Sequence, residues 1–357
     1  MLYQPEPDRP SASPGIKRIL IISDAWAPQV NGVVRTLRTV AEALRDRGLT
    51  VDVIGPDRFK TVPMPSYPEI RLALFPGRTL KQLIDDFAPD ALHIATEGPL
   101  GMAARAYAKK HGLAFTTAFH TRFAEYLQAR TGIPLSLTYA WLRWFHGGGA
   151  GVMVATQSLR DELTARGFEN VRAWSRGVDL AAFSLEPKEA WDLPRPIFAY
   201  VGRVAVEKNL PAFLDLKLPG SKLVVGDGPQ RKALERAYPD VHFAGARHGA
   251  ALAAAYAGAD VFVFPSKTDT FGLVVLEALA SGLPVAAYPV TGPKDNLGEA
   301  PMPVGALNED LGQAALAALA IDRSACRPYA EQFSWDACAQ RFLDNLVPAD
   351  TKKVAAF

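Results

Sequence analysis

The sequence predicts an α/β protein built from two Rossmann-like, doubly wound parallel-sheet domains that face each other across a cleft. Short continuous apolar segments, rich in Val, Ile and Phe, alternate with helical segments, as buried parallel strands and their crossover helices do. The same alternation restarts at residue 197, after a Pro-containing, charged stretch. We therefore predict a first domain at 16–183, a linker at 184–196 and a second domain at 197–334.

The first domain begins with the predicted strand Lys17–Ser23, whose Ile-rich run ends at a loop containing Pro, Asn and Gly. The helix that follows has one apolar face, formed by Val33, Leu37, Val40, Ala41 and Leu44. Further strands are predicted at Val51–Gly55, Ala91–Ile94, Ala114–Ala118 and Gly151–Ala155, and another helix opens at Ser158.

The second domain repeats this order of elements. Its predicted strands are Pro196–Gly202, Lys222–Gly226, Val241–Phe243, Asp260–Pro265 and Pro284–Ala287. A last helix is predicted around Trp335–Leu346, within a C-terminal segment at 335–357. Doubly wound sheets bind ligands beyond the carboxyl ends of their strands, so functional residues are expected in the loops at those ends.

Composition limits the class of protein further. The chain has 357 residues, of which 49% are hydrophobic, so it can form a core of two-domain size. No apolar run approaches the roughly 18 residues that span a bilayer, and residues 1–15, with four prolines, are predicted to be a disordered tail rather than a signal peptide. The two cysteines, Cys326 and Cys338, exclude a disulfide scaffold and fit a reducing cytoplasm.

The charge is nearly balanced overall but uneven along the chain. A net charge of +2 is too small for a dedicated nucleic-acid binder. Residues 1–180, however, carry 22 Lys and Arg against 17 Asp and Glu, whereas residues 181–357 carry 17 against 20. The basic surplus of the first half is either an ordinary solvated surface or a surface that attracts an anionic membrane. The histidines show no metal-binding spacing, so no metal centre is expected.

Two loops carry features suited to a phosphorylated ligand. Gly32 follows the first strand and opens the first helix, where a Gly backbone and a helix N-terminus favour an anion, although turn geometry alone also explains this residue. Arg203 and Lys208 follow the first strand of the second domain, and two cations there suit a diphosphate. The alternative is that both are solvated loop residues. The sequence has no GxGxxG motif, which argues against a dinucleotide dehydrogenase.

The segment from Asp269 to Glu277 turns from a buried strand into a helix. Gly272 and Leu273 would offer backbone N–H groups at the helix start, and the two carboxylates suit hydroxyl-rich groups such as a sugar and a ribose. The alternative is helix-terminal charge with a solvated Glu. His120, just past another strand end, can exchange a proton near neutral pH, and His93 is the second choice.

Together these segments resemble the retaining glycosyltransferases of the GT4 family, which have the GT-B fold. The matching pieces occur in the family's order: Pro28–Val33, Phe119–Thr121, Arg176–Asp179, Gly202–Arg203, Glu207–Asn209, Val225–Pro229 and Asp269–Glu277. The family's signature is two glutamates separated by seven residues. Here the first acid is Asp269, one methylene shorter.

The resemblance implies a role for each matching residue. Arg203 and Lys208 would hold the diphosphate of a nucleotide-sugar donor, helped by Gly32 and by the backbone of Gly272 and Leu273. Glu277 would bind the ribose, while Asp269 and His120 would contact the transferred sugar as the catalytic pair. Transfer would retain the anomeric configuration and need no metal or other cofactor. The last helix would return to the first domain.

Two stretches of the first half, Asp24–Val33 and Phe119–Phe123, look closest to those of lipid-directed members. Such members include glycosyl- and sulfoquinovosyl-diacylglycerol synthases and phosphatidylinositol mannosyltransferases. The expected partners are therefore a UDP- or GDP-sugar, a lipid acceptor such as diacylglycerol, and the inner face of the cytoplasmic membrane. An aromatic and basic stretch fits that interface or else packs in the core: Arg130, Tyr139, Trp141, Leu142, Arg143, Trp144, Phe145 and His146. A soluble or polysaccharide acceptor, or a non-catalytic binding module, are the alternatives.

Overall fold

The computed structural model describes residues 15–29, 31–64, 67–186, 189–267, 271–298 and 300–350. All but the last residue of the predicted tail at 1–15 therefore lies outside the described residues, and so does Asp269. The chain divides into two compact units. The N-terminal unit runs to Ser175 and includes the residues from Trp335 onward, and the C-terminal unit is Arg176–Ser334. The segment predicted as a linker, 184–196, lies within the C-terminal unit.

The N-terminal unit contains a parallel sheet with the strand order β2-β1-β5-β6-β7-β8 and a separate antiparallel pair, β3-β4. The strands are β1 (Arg18–Ile22), β2 (Thr50–Ile54), β3 (Thr61–Met64), β4 (Tyr67–Ala73), β5 (Ala91–Ile94), β6 (Thr116–Phe119), β7 (Gly151–Val154) and β8 (Val171–Ala173). The helices are α1 (Gly32–Asp46), α2 (Gly77–Phe87), α3 (Pro99–His111), α4 (Phe123–Thr131), α5 (Leu135–His146) and α6 (Gln157–Ala165).

The centre of this sheet explains its continuous apolar strands. In β1, Ile19 lies opposite Val51 of β2 and Ala91 of β5. Alternate residues of β1 belong to two different buried clusters, so this strand is covered on both faces. The apolar stripe of α1 packs on one face, with Leu37 and Leu44 completely buried. The side chain of Asn31 caps α1 by accepting hydrogen bonds from the backbone N–H groups of Val33 and Val34, both at 3.0 Å.

The C-terminal unit contains a second parallel sheet, with the strand order β11-β10-β9-β12-β13-β14. Its strands are β9 (Ile197–Val201), β10 (Ser221–Val225), β11 (His242–Gly245), β12 (Val261–Phe264), β13 (Val285–Ala287) and β14 (Gly305–Leu307). Its helices are α7 (Pro211–Leu214), α8 (Arg231–Ala237), α9 (Gly249–Ala257), α10 (Leu273–Ala280), α11 (Thr291–Leu297), α12 (Leu311–Leu319) and α13 (Cys326–Ala330). Every residue of β9 is buried, as expected for the middle of such a sheet.

The last described helix, α14 (Trp335–Asn345), belongs to the N-terminal unit. Its buried face, which includes Cys338 and Phe342, joins the core formed by β1 and α1. The indole Nε1 of Trp174, which is completely buried, donates to the carbonyl oxygen of Cys338 at 3.2 Å. Asn345 in turn donates to the carbonyl oxygen of Ala173 at 2.8 Å. The core of the N-terminal unit is therefore completed by residues from the far end of the chain.

Candidate active site

In each sheet the strand order reverses at one point, because successive strands are added first on one side of the starting strand and then on the other. Doubly wound folds bind their ligands in the crevice at this point. In the C-terminal unit the connections leave β9 toward β10 on one side and return to β12 on the other. The predicted donor-binding residues of this unit follow those two strands. Arg203 and Lys208 come after β9, and Gly272, Leu273 and Glu277 come after β12. The topology thus brings together two sets of residues that are far apart in sequence.

The loop after β9 lies against the loop after β10 through glycine backbone. A Cβ atom on Gly226, which has a φ of +150°, would lie 1.9 Å from the carbonyl oxygen of Gly202. The two loops are also joined by a hydrogen bond from the backbone N–H of Gly202 to the carbonyl oxygen of Val225, at 3.0 Å. The glycine-rich turn at Val225–Pro229 therefore has a packing reason: no side chain fits between these two strand ends.

The loop that carries the two cations is tied to the end of β12. Arg203 is exposed, and its carbonyl oxygen accepts a hydrogen bond from the hydroxyl of Tyr200 at 2.8 Å. Lys208 is half-buried and ends a short 3₁₀ turn. The next residue, Asn209, donates from its side chain to the carbonyl oxygen of Pro265 at 3.1 Å. This bond holds the Lys208 segment beside the stretch of chain that leads into α10.

The start of α10 has no side-chain cap among the described residues. Its N-cap is Gly272, which has a φ of +76° and no side chain with which to cap the helix. A Cβ atom there would lie 3.2 Å from the ring of Phe264 and 3.3 Å from Val275. Just before it, the carbonyl oxygen of Phe271 is held by the side chain of Asn296 at 2.5 Å. An uncapped helix N-terminus of this kind suits a phosphate.

Glu277 lies one turn into α10 and is only 3% exposed, so the solvated alternative for this residue is wrong. A buried carboxylate is costly unless it is hydrogen-bonded. The hydroxyl of Tyr256, on α9, donates to Oε2 of Glu277 at 2.9 Å. Sequence reasoning did not identify Tyr256, because it lies on another helix and no local spacing links the two residues.

In the N-terminal unit the direction changes between β1 and β5. Gly32 is the exposed first residue of α1, and because Asn31 already caps Val33 and Val34, an anion at this helix start would be left to Gly32. His120 is half-buried directly after β6, with its ring 5.7 Å from that of Trp174 in an edge-on arrangement. His93, the second choice, is completely buried, and its Nδ1 lies 2.9 Å from Oγ1 of Thr116.

A buried carboxylate that sequence reasoning missed, Asp24, lies between β1 and α1. It accepts hydrogen bonds from the backbone N–H groups of Leu100 (2.9 Å) and Gly101 (3.2 Å) at the start of α3, and from the hydroxyl of Thr96 (2.9 Å). Burial raises the pKa of Asp24 above its usual value, although these hydrogen bonds oppose the shift. The N-terminus of α3 is therefore occupied by the protein's own carboxylate.

The aromatic stretch of α5 divides between core and surface. Tyr139, Leu142, Phe145 and His146 are buried, so the interfacial interpretation is wrong for these residues. Trp144, in contrast, is 51% exposed, and the guanidinium of Arg105 lies 3.8 Å from the centre of its ring system. Trp141 is half-buried and packs partly against the core. The side chain of Arg130 lies outside the described residues.

The described part of the chain contains neither a metal-binding cluster nor a membrane-spanning helix. No group of three or more His, Cys, Asp or Glu side chains there is arranged to hold a metal ion. No helix in the same residues combines the length and the apolar character needed to cross a membrane.

Comparison with known proteins defines the class to which this fold and site belong. The family model described as Glycosyltransferase Family 4 matches residues 30–182, and the model described as Glycosyl transferases group 1 matches residues 195–321. Sucrose-phosphate synthase from Thermosynechococcus elongatus has a similar fold, with a TM-score of 0.70 over 91% of this chain and 96% of that chain, at 21% identity. The protein is a hexosyltransferase with the GT-B fold, and the predicted pair of parallel-sheet domains is confirmed.

The chain belongs to glycosyltransferase family 4. It is 33% identical to a GDP-mannose-dependent alpha-mannosyltransferase of Mycobacterium tuberculosis, over 78% of this chain and 80% of that protein. It is 26% identical to the alpha-monoglucosyldiacylglycerol synthase of Streptococcus pneumoniae, over 76% of this chain and 71% of that protein. The predicted family is confirmed, and a non-catalytic binding module is excluded.

Proposed function

We propose that this protein is a retaining glycosyltransferase that moves a hexose from a nucleotide sugar to a membrane lipid, with diacylglycerol as the first acceptor to test. One observation carries the donor half of this proposal. In a single unit, the loop with Arg203 and Lys208 is tied to the segment that leads into a helix with a glycine N-cap and a buried glutamate. A diphosphate is complementary to the two cations and to the backbone N–H groups at the helix start, and ribose hydroxyls are complementary to the glutamate.

The donor is expected to bind mainly through its leaving group. Arg203 and Lys208 neutralise the diphosphate, and N–H groups at Gly272 and Leu273 add contacts. Glu277 accepts hydrogen bonds from the ribose. These cations stabilise the charge that develops on the departing diphosphate, so the reaction needs no metal or other cofactor.

In the transfer step, the bond between the anomeric carbon and the diphosphate oxygen breaks. A bond from the acceptor hydroxyl oxygen to the same face of that carbon forms. The acceptor proton passes to an oxygen of the departing diphosphate, so atoms and charge balance. Asp269 contacts the transferred sugar and helps to fix its orientation. Retention of configuration follows from attack on the face that the leaving group vacates.

The names of the relatives support both a choice of donor and a choice of acceptor. One relative is named for GDP-mannose and another for diacylglycerol. We therefore place GDP-mannose first among donors, ahead of UDP-glucose, UDP-glucuronate and UDP-sulfoquinovose.

The surface of α5 supports a membrane-bound acceptor. Leu137, Trp141 and Trp144 share one helical face, and Leu137 and Trp144 are 63% and 51% exposed. The exposed Arg143 and the half-buried Arg105 supply positive charge beside them. Aromatic rings next to cations suit the boundary of an anionic leaflet. We propose reversible association with the inner face of the cytoplasmic membrane.

The deciding experiment is a matrix of donors and acceptors read by mass spectrometry. The purified protein is incubated with each of the four nucleotide sugars and with vesicles that contain diacylglycerol or phosphatidylinositol. A glycolipid with one added hexose supports the proposal, and the anomeric configuration of the product tests retention. Transfer to water-soluble sugars or polysaccharide, with no product from any vesicle, would replace the lipid acceptor by the soluble alternative.

A further inference from the structure

The hydrogen bond between Tyr256 and Glu277 connects two helices inside the C-terminal unit. Tyr256 lies on α9 and is completely buried, and Glu277 on α10 is 3% exposed. The phenol hydroxyl lies 2.9 Å from Oε2 of the carboxylate. Because both groups are shielded from water, this bond is stronger than the same contact would be at the surface.

The ring that carries the Tyr256 hydroxyl is held by packing in the core. The ring of Tyr256 packs edge-on against that of Phe183, with the centroids 5.7 Å apart, and lies 5.9 Å from the ring of Phe262 on β12. Arg327 donates to the carbonyl oxygens of Phe183 and of Ala280, both at 2.7 Å. The same guanidinium thus anchors the residue behind the tyrosine ring and the C-terminal end of α10.

This hydrogen bond restrains the rotation of the carboxylate. A carboxylate offers about four acceptor positions on its two oxygens. The bond from Tyr256 uses one of these positions and restricts the directions of the others. A carboxylate held in one orientation matches a rigid pair of neighbouring hydroxyls, such as the 2′- and 3′-hydroxyls of a ribose, better than a freely rotating one.

We propose that Tyr256 is a positioning residue for nucleotide recognition, which holds Glu277 in the orientation that selects ribonucleotides over deoxyribonucleotides. This inference rests on the proposed contact between Glu277 and the ribose. As a positioning residue, Tyr256 would act on the donor through the carboxylate of Glu277.

The test compares nucleotides that differ only in the ribose hydroxyls. Calorimetry measures the affinity of the full-length protein for GDP and UDP and for their 2′,3′-dideoxy forms. We expect the wild type to bind the better ribonucleotide at least about tenfold more tightly than its dideoxy form, since hydrogen bonds to a charged group are lost. In Tyr256→Phe this ratio falls to about twofold or less. In the same variant, the KM for the donor should rise while kcat stays within about twofold of the wild type. A purely structural defect would not raise KM selectively in this way.

Tyr238→Phe is the matched control. The hydroxyl of Tyr238 also donates to a carboxylate of this unit, that of Asp215 at 2.8 Å, but at the surface. Its removal should leave the ribose ratio unchanged. A second comparison guards against a folding defect in Tyr256→Phe. In a Glu277→Gln background, adding Tyr256→Phe should not change the ratio further, because the path through the carboxylate is already broken.

Two results would overturn the inference, and they differ in what else they overturn. If Tyr256→Phe, folded by its thermal transition, keeps the full wild-type ratio, the tyrosine does not position Glu277, while the proposed function stands. If the wild type itself does not distinguish ribo- from dideoxynucleotides, the ribose contact of Glu277 fails and the inference fails with it.

Discussion

Trp144 and Phe145 are neighbours on α5 that test whether this helix meets a membrane. Trp144 is 51% exposed, whereas Phe145 is completely buried in the core of the N-terminal unit. Replacing each with Ala should therefore have opposite consequences. Trp144→Ala should mainly weaken binding to anionic vesicles, and Phe145→Ala should mainly destabilise the unit.

The magnitudes follow from the exposed area and the buried volume. Half of a Trp side chain is about 100 Å², which at about 25 cal/mol per Å² gives at most about 2.5 kcal/mol of membrane affinity. That corresponds to a loss of up to about sixtyfold in partitioning for Trp144→Ala. The covered half of the ring, which packs against Arg105, sets the stability cost at no more than about 2.5 kcal/mol by the same coefficient, below that of Phe145→Ala. Phe145→Ala should cost about 3–5 kcal/mol and lower the melting temperature of the unit by on the order of 10 °C.

Co-sedimentation with anionic vesicles and differential scanning calorimetry measure the two effects on the same samples. Binding should also weaken as salt is added, because screening shortens the reach of the surface charge. If Trp144→Ala binds vesicles as the wild type does, or if it destabilises as much as Phe145→Ala, the surface assigned to α5 is not the membrane contact.

The other predictions concern the site and the thiols. Arg203→Ala or Lys208→Ala should lower kcat/KM by on the order of a hundredfold, since a charge-assisted contact to the leaving diphosphate is lost; wild-type kinetics in both would remove them from the site. Glu277→Gln should mainly weaken nucleotide binding in calorimetry, and Asp269→Asn should mainly slow turnover; the reverse pattern would exchange their roles. Activity should survive EDTA, and a complete loss restored by Mg²⁺ or Mn²⁺ would contradict a diphosphate held by cations alone. Burial raises the pKa of the Cys326 thiol to about 12, so it should resist alkylation at pH 8 and react only after unfolding, as mass spectrometry can show.

The parts of the fold that could be predicted are those whose burial is written locally in the sequence. Strands β1 and β9 are covered on both faces, so their continuous apolar runs identify them. Strands β8 and β14 are three half-buried residues each at the sheet edges, too short to form a pattern. In β3, Pro63 argues against a strand, because proline cannot donate to a ladder, and yet β3 pairs with β4.

The site shows the same limit. The positions of Gly272 and Glu277 relative to a helix start followed from the sequence, because strand, turn and helix are consecutive. The burial of Glu277 and its partner Tyr256 did not, since they depend on how two helices pack. The aromatic residues of α5 also needed the structure. Trp144 and Phe145 are adjacent, and only tertiary packing decides which of them faces solvent.

Helix α14 has a consequence for how this protein is made. The C-terminal unit, Arg176–Ser334, is continuous in sequence, whereas the N-terminal unit requires residues from Trp335 onward. During synthesis, Trp174 and the apolar stripe of α1 leave the ribosome long before Cys338 and Phe342, which cover them. The C-terminal unit can therefore finish folding first, because the N-terminal unit is complete only after α14 has been synthesised. A fragment that stops at residue 334 would keep that apolar face uncovered and would be prone to aggregate.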